Sequence, residues 1–596
     1  MPIAFFSPGL THLFHNSPPF LETAALYFFI RYVNKIRPIH LLSYLTGEHG
    51  HLIAYASLHL LKGLFKAIWS DVREDRDRIR LGARKIPGLK GGKLPGNIDI
   101  LHWLVSSHDK DYPGGTFVEL RRRNGDLFCL DLLWGKSLWT DNPHYIKEVL
   151  TMQAPNFIKG TSFKGSFDSV LGDGIFNSDG DTWRFHRSMT RPFFTRDRVT
   201  DFDIFDHHTE TILNKINERC QTGMPVDFQE AISQFTMESA TEFLFGRSFG
   251  ALKPALRLPG GTSSSATPPG GAGIGQFTRA FTSAMEHIAT RNNEVGPWQL
   301  REIFGDRTKA DMKMIYDVVD PIIDAALRSK MKAAKLSGDT SQEGVDGNRE
   351  TLLSHLVSET EDREMIRDEL LNILLAGRDT TASNLTFTVY FLAMHPPVLD
   401  RLRKEIMDVI GPTEQPGFEH IKDMKYLRAV INESLRLLLP VPFDIKTSVK
   451  STVLTDPTTG VRHYIPTKAP FIWSTLSMHR SVELWGPDAI QFDPDRWLDE
   501  RNKKYYLENP FIFLPFLAGP RICLGQQFAY NEISFFLIRF LQRFWKVELV
   551  PDGQPMGSLP PAEWKEDVGT RKPIEKIWPK SHVTMYCKGG LWVRAQ

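Results

Sequence analysis

The chain is poor in cysteine. Cys129, Cys220, Cys523 and Cys587 are all it has among 596 residues, and no two form a CxxC pair. Neither a disulfide framework nor a zinc knuckle is indicated, and a reducing compartment fits. Excess charge of one sign is also missing. The formal net charge is +2, which argues against nucleic acid as a partner, because phosphate binding needs a concentrated basic surface. Long apolar runs are absent: Thr23 to Ile30 (TAALYFFI) and Leu52 to Leu61 (LIAYASLHLL) both fall short of the ~20 residues that a membrane span needs. No small-residue cleavage site follows them, so a removed signal peptide is not expected. There is no internal repeat. What the chain does have is ordinary globular composition, 41% hydrophobic and 24% charged, enough for a large buried core.

The first ninety or so residues differ from the rest. Between Leu58 and Ile68 the apolar residues fall at helical spacing, while Lys62 and Lys66 sit on another face. That pattern predicts a helix lying in a membrane surface, against the alternative of a soluble helix packed on a domain. From Lys62 to Lys93 there are ten Lys/Arg against four Asp/Glu, a modest attraction for anionic headgroups. "KIPGLKGGKLPGN" (Lys85 to Asn97) reads as a stiff, turn-rich hinge. The chain is thereby divided into a membrane-associating region and hinge, residues 1–94, and a globular body, residues 95–596. Short β-type stretches such as "GDLFCLDLLWG" (Gly125 to Gly135) come next, and most segments read helical from about residue 140. "PGGTSSSATPPGGAGIG" (Pro259 to Gly275) reads as an exposed low-complexity loop. Ile366 to Met394 is a long helical pattern stopped by His395-Pro396-Pro397. Glu369, Arg378 and Asp379 interrupt it, which suits a long buried helix better than a membrane span.

One short stretch, "FLPFLAGPRICLGQQFAYNE" (Phe513 to Glu532), has the features of a ligand loop. A thiolate is a strong donor to iron, but it must be kept deprotonated and shielded. Glycines beside a cysteine let backbone N–H groups approach the sulfur, an arginine can hold an anionic cofactor group, and an aromatic can cover a ring. Phe516, Gly519, Arg521, Cys523 and Gly525 supply all of these. The stretch resembles the haem-binding loop of the cytochrome P450 family, F-x-x-G-x-R-x-C-x-G, at every fixed position.

Further motifs of that family follow its order. "AGRDTT" (Ala376 to Thr381) resembles the oxygen-binding groove, with Asp379 and Thr380 as the acid–alcohol pair of a proton relay. An isolated Asp-Thr would instead read as local backbone capping. "ESLR" contributes Glu433 and Arg436, an i,i+3 pair. The resemblance joins them to Arg496 of "FDPDRW" in a structural triad. "WRFHR" contributes Trp183 and Arg187, which resemble the pair that binds haem propionates, a planar guanidinium matching a carboxylate. There is one departure. Lys446, in "PVPFDIKTSVKST", stands where relatives carry an arginine for a propionate, keeping the charge and losing the bidentate fork. The sequons at Asn384 and Asn432 fall in core helices and read as unglycosylated.

The resemblance covers nearly everything from about residue 95 onward. It is nearest in pattern to fungal microsomal P450s of the alkane and fatty-acid hydroxylase group and to broad-range xenobiotic-oxidising P450s of basidiomycetes. It implies a mainly α fold with a smaller β portion, behind an N-terminal membrane anchor. It implies haem b with Cys523 as the axial thiolate and metal ligand, and a monooxygenase that places one atom of O2 in a lipophilic substrate (fatty acid, alkane, steroid or aromatic xenobiotic). Too few residues follow Cys523 for a flavin domain, so NADPH–cytochrome P450 reductase is the implied electron donor, with cytochrome b5 as an accessory. The implied location is the endoplasmic reticulum membrane, with the catalytic body on the cytoplasmic side. Two alternatives stand beside this reading. A P450-fold isomerase or dehydratase would need no external electrons, and a non-enzymatic haem-binding membrane protein would need no acid–alcohol pair. Pocket-lining residues are expected from Phe277 to Asp306 and from Phe387 to Phe391.

Overall fold

The computed structural model describes residues 7–16, 28–29, 31–36, 61, 65, 68–108, 110–133, 135–194, 202–260, 274–293, 298–336 and 351–596. Most of the apolar runs at Thr23–Ile30 and Leu52–Leu61, and most of the Pro259–Gly275 stretch, lie outside these residues. The chain forms two compact units. The smaller consists of Met1–Lys85, Asn293–Arg307 and Ser451–Pro466. In it, helix α1 (Pro8–Asn16) rests on the turn Trp298–Glu302. A Cβ on Gly9 would lie 2.5 Å from Ile303 Cα, so only glycine permits that approach. A hairpin, Thr452–Thr455 with Arg462–Ile465, completes the unit and is bonded to Arg84 on both sides (Arg84 N–H to Arg462 O, 2.7 Å; Tyr464 N–H to Arg84 O, 2.9 Å). No described helix is long and apolar enough to cross a membrane.

The larger unit carries helices α2 (Pro143–Leu150), α3 (Gly180–Thr190), α4 (Phe202–Gln221), α5 (Phe228–Phe245), α6 (Ile274–Asn293), α7 (Lys309–Leu336), α8 (Arg363–Met394), α9 (Pro396–Val409), α10 (Lys425–Leu437) and α11 (Gln526–Arg543), with shorter turns between them. Its main sheet has five strands in the order β1-β2-β6-β5-β3, where β1 is Leu127–Leu132, β2 Gly135–Thr140, β3 Phe157–Ile158, β5 Phe443–Ser448 and β6 Pro470–Ser474. A second sheet pairs β4 (Val226–Asp227) and β7 (Val547–Leu549) with β8 (Trp592–Ala595) between them. The mainly helical reading with a β portion holds.

Helix α8 is the axis of this unit. Asp362 caps it, accepting from the backbone N–H groups of Glu364 and Met365 at 3.0 and 3.1 Å; such a cap satisfies donors that the first helical turn cannot. His395-Pro396 ends it as the sequence predicts. One apolar cluster surrounds the first half of α8 with residues of α6, α7 and α11, and another surrounds its second half with residues of α9, α10 and α11. Two expectations are corrected here. Phe387, Tyr390 and Phe391 do not line a pocket. Tyr390 donates to Glu575 Oε2 at 2.6 Å, Phe391 stacks on Phe492 with centroids 4.4 Å apart, and Phe387 is fully buried in the second cluster. Nor is the stretch after Lys85 a free hinge. Ile86 is buried, Cys129 N–H donates to Pro87 O at 2.7 Å, and Lys90 N–H donates to the Asn124 side chain at 2.7 Å. The stretch is tied down because turn-rich backbone still has N–H groups to satisfy and the β1 edge offers partners.

The charged triad read from sequence is fully buried. Glu433 takes two parallel bonds from Arg436, 2.8 Å each, and its Oε1 lies 3.4 Å from Arg496 Nε. Trp497 Nε1–H and the Asp493 N–H also donate to it, both at 3.0 Å. Burial works to raise the Glu433 pKa, but the charges and bonds of Arg436 and Arg496 outweigh it and hold the carboxyl below its ordinary value. Removing that charge leaves two buried guanidiniums without a counter-ion. Glu433→Gln should therefore cost about 3–5 kcal/mol of unfolding free energy. Asp408→Asn, which breaks the exposed Lys404–Asp408 pair, should cost only a few tenths of a kcal/mol. Urea unfolding of both variants checks this, and equal losses would contradict it.

Candidate active site

Cys523 sits in a loop that ends at the N-terminus of α11. The loop closes on itself: Cys523 N–H donates to Phe516 O at 3.0 Å, and Ile522 N–H to Gly519 O at 3.1 Å. Gly519 has φ +72°, and a Cβ there would strike the Leu150 carbonyl oxygen of α2 at 1.9 Å. No other residue fits, which is why the motif requires glycine at this point. Gly525 serves differently. Its N–H works to lower the pKa of the Cys523 thiol. Phe516 packs against Tyr530 of α11, centroids 5.2 Å apart.

The cysteine side chain opens onto a recess of about 420 Å³ walled by Arg187, Arg191, Phe194, Pro520, Ile522 and Leu524. Solvent reaches it from there, yet the packed atoms around it dominate its titration. Burial pushes the thiol above its ordinary pKa, while the Gly525 N–H and the Arg187 charge pull it back. A cation at the sulfur would be needed to hold the thiolate.

Three of the expected cofactor residues come together beside this loop. Arg521 lies over the Trp183 ring at 4.5 Å, and Arg187 at 5.7 Å from the same ring. Arg187 also donates to the Ile522 carbonyl at 2.9 Å. Arg521 donates to Ser178 O at 2.7 Å and to Asp179 at 2.9 Å. Lys446, on β5, is 3% exposed and its Nζ has no hydrogen-bond partner. Burial, then the charge of Lys159, bring its pKa down to about 7, with Asp444 opposing and Arg521 adding to the fall. Lys159 is itself taken by Asp444 at 2.9 Å. A buried ammonium without a partner, beside a guanidinium, calls for an anion. A haem propionate fits that requirement, and the thiol loop fits the iron.

On α8 the buried surface opens at Ala376, Gly377, Asp379 and Thr380, which are all half-buried, and a Cβ on Gly377 would meet nothing within 4 Å. Thr380 Oγ1 donates to the Ala376 carbonyl at 2.6 Å. Asp379 lies 3.2 Å from Arg378, and burial raises its pKa against that cation. Leu375 on one side of this opening shares a packed cluster with Phe528 of α11, against which Trp183 and Leu524 also rest. The sequon residue Asn384 is 1% exposed, which keeps its amide from a glycan, and Asn432 Oδ1 accepts the Tyr530 hydroxyl at 2.7 Å.

Sequence reasoning missed four supporting residues. His186 Nδ1 lies 3.0 Å from Glu369 of α8, and Thr190 Oγ1 donates to the same carboxylate at 2.6 Å, which fixes α3 and its Trp183 and Arg187 against α8. Lys159 and His479 complete the set. A lone His or Lys with no motif around it gives no signal in one sequence. His479 Nε2 accepts the Leu514 N–H at 2.9 Å at the head of the cysteine loop, and its carbonyl accepts Arg436 at 2.8 Å.

Residues 94–570 match the family model described as Cytochrome P450. The chain is 34% identical to Cytochrome P450 52E2 of Candida apicola over 76% of this chain and 82% of that one. It is 34% identical to Cytochrome P450 monooxygenase fsdH of Fusarium heterosporum over 73% and 72%, and 32% identical to Cytochrome P450 52A3-B of Candida maltosa over 79% and 86%. Fold and loop define a haem-thiolate oxygenase. More narrowly, the chain belongs to the cytochrome P450 family of fungal type, a monooxygenase of lipophilic substrates that carries haem b on a cysteine thiolate and uses O2 with electrons from a redox partner.

The loop's dependence on His479 sets a pH limit. Burial first, then Arg436 and Arg480, bring its pKa from 6.5 down to about 3. The unfolded chain therefore binds this proton first. The stabilisation is complete above pH 6.5 and is lost as pH falls toward about 3, at about 1.4 kcal/mol per pH unit. His479→Gln, whose amide oxygen can still accept the Leu514 N–H, should flatten the fall in unfolding free energy below about pH 6. An unchanged slope would remove His479 from this role.

Proposed function

We propose that Cys523 is the axial ligand and that Asp379 and Thr380 relay protons in the oxygenase reaction, with Arg521, Trp183, Arg187 and Lys446 holding the haem carboxylates. The observation that carries this reading is the recess of about 420 Å³ at the head of α11, onto which Cys523 opens beside Arg187. When bound, haem supplies the oxygen activation, and its thiolate ligand favours O–O cleavage. The chain's residues do the rest. Phe516 and Leu524 pack round the loop. The cations on α3, β5 and the cysteine loop match carboxylates. Asp379 is the carboxyl of the pair, its pKa raised by burial against the Arg378 charge, and Thr380 can turn its hydroxyl from the Ala376 carbonyl toward the opening in α8. Such an acid–alcohol pair supports oxygen activation over rearrangement without external electrons.

The substrate is a lipophilic organic molecule hydroxylated at carbon. Its electrons come from NADPH through cytochrome P450 reductase, with cytochrome b5 as an accessory donor. Residues 1–94 act as a membrane-surface region of the endoplasmic reticulum, with the body of residues 95–596 on the cytoplasmic side. Support comes from a row of exposed apolar residues at helical spacing: Leu61, Phe65, Ile68, Val72 and Ile79, joined by Trp69, each at least 57% exposed. A soluble helix would bury such a stripe.

Two experiments test these readings. Cys523→Ala should lose the red-shifted band of the reduced, carbon-monoxide-bound protein that a thiolate ligand produces. Thr380→Ala should keep that band and the haem, still consume NADPH, and divert it to peroxide. General acid assistance is typically worth ~10²–10⁴-fold, part of which a water can restore. Unchanged coupling of NADPH to product would remove Thr380 from the relay. For the membrane region, deletion of residues 1–84 should move most of the protein from the membrane pellet to the supernatant with haem retained. Full retention in the pellet would contradict the assignment.

A further inference from the structure

Helix α1 is fastened to a segment nearly three hundred residues away in the chain. Ser7 caps the helix, accepting the Leu10 N–H at 3.3 Å, and the same hydroxyl donates to the Ile303 carbonyl. Two residues on, Gly9 lays its backbone on the turn. A Cβ there would lie 2.5 Å from Ile303 Cα, 2.6 Å from Gln299 O and 2.8 Å from Ile303 N. All three are backbone atoms, so no side-chain movement makes room. Gln299 and Ile303 belong to the connection between α6, which ends at Asn293, and α7, which starts at Lys309. That connection is too short to pass through ~30 Å of hydrocarbon and return, even fully extended. Its Arg301, Glu302, Asp306 and Arg307 would also resist entry. The turn therefore stays on the side of a membrane that holds the body. The far end of the N-terminal region is fixed on that side too, since Arg84 is bonded to the hairpin between β5 and β6.

We infer that α1 is an intramolecular clip on the α6–α7 connection. It keeps residues 7–16 on the catalytic side of the membrane, so the chain between α1 and the helix at residues 68–80 enters and leaves the bilayer by that one face. The inference rests on the membrane role proposed above for residues 1–94 and gives that region its topology. A chain held on one side at both ends crosses an even number of times or not at all, and the residues between favour no crossing. As helices, Thr23–Ile30 and Leu52–Leu61 would reach only ~12–15 Å at ~1.5 Å per residue, against a core of ~30 Å. Phe28, Tyr32 and Ile36 recur every four residues with Phe29 beside them, each 63–64% exposed. Arg31 and Lys35 fall on the flank of that stripe. Apolar side chains on one arc with cations at its edge suit a helix lying in the headgroup boundary, the rings among the acyl chains and the charges at the phosphates. The partner is thus a single leaflet, the one that faces the body.

The test uses the full chain in sealed microsomes, carrying an epitope tag ahead of Met1 or, in a second form, an Asn-Gly-Thr glycan acceptor at the same place. Protease added outside should remove the tag without detergent, and the acceptor should stay unglycosylated. A tag that survives until detergent is added, or a glycosylated acceptor, overturns the inference. The clip is read separately by hydrogen exchange of the purified holoenzyme. Ser7→Ala should speed exchange across Trp298–Ile303 about twofold to tenfold, the worth of one hydrogen bond. Gly9→Val should speed it at least as much, because its side chain has no space against the turn. Both variants should keep the carbon-monoxide band of the reduced protein, which shows the body intact. Unchanged exchange in the two variants overturns the clip. Recovery of the wild type in the supernatant would instead refute the membrane reading, and the exchange measurement would still decide the clip.

Discussion

The cysteine loop depends on a carboxylate that never meets solvent. Glu433 neutralises Arg436 and Arg496 inside the protein, and Arg436 in turn donates to the carbonyls of His479, Ala489 and Gln491. Arg496 ties in the Trp485 carbonyl and Asp488. His479 then accepts the N–H of Leu514. Through this chain of bonds, two buried cations set the backbone that leads to Cys523. A neutral apolar core could be as stable, since buried ion pairs seldom add net stability over well-packed hydrophobes. What the charges add is direction. A guanidinium has five donors in a fixed plane and accepts only one arrangement of carbonyls around it.

The same physics, with a different balance, governs the other side of the site. Around Lys446 the charges are not closed: Lys159 has Asp444 and Arg521 has Asp179, while the ammonium of Lys446 has no bond of its own. The triad is complete within the chain, and this cluster leaves a buried cation for an anionic cofactor to meet, as proposed above. The contrast separates charge that supports the fold from charge kept for a ligand. Lysine in place of arginine suits a cramped position at 3% exposure, since an ammonium is a compact point charge that needs less room than a guanidinium fork.

Helix α8 carries structure and chemistry on different faces. Its flanks are buried in two apolar clusters, and its Glu369 holds α3 by His186 and Thr190. Between Leu370 and Leu392, only Ala376, Gly377, Asp379 and Thr380 are left half-buried. Packing along most of its length fixes the helix, so its one open groove keeps its place without contributing to stability. Polar residues that would be costly elsewhere are tolerated there, as fits the relay role proposed for Asp379 and Thr380.

Motifs whose chemistry is local were legible in the chain alone. Gly519, Cys523 and Gly525 are set by steric limits and by N–H groups within a few residues, and Glu433 with Arg436 by one helical turn. The long helix was legible as well, from Asp362 and Pro396 at its ends. The position of residues that act across the fold was not. Phe387 to Phe391 look like pocket lining by composition, yet Tyr390 and Phe391 are claimed by Glu575 and Phe492, partners more than a hundred residues away by number. The Lys85–Asn97 stretch reads as a hinge until the β1 edge takes its backbone groups. His479, Lys159 and Glu369 carry no local signature, since a single polar residue gains its meaning from what surrounds it. Local sterics and spacing reach one turn of chain, while burial and pairing are settled only when distant segments meet. The sequence by itself therefore determined the family and pointed to the cysteine loop and the Asp379–Thr380 pair, and the tertiary structure decided which charges are closed and which are open.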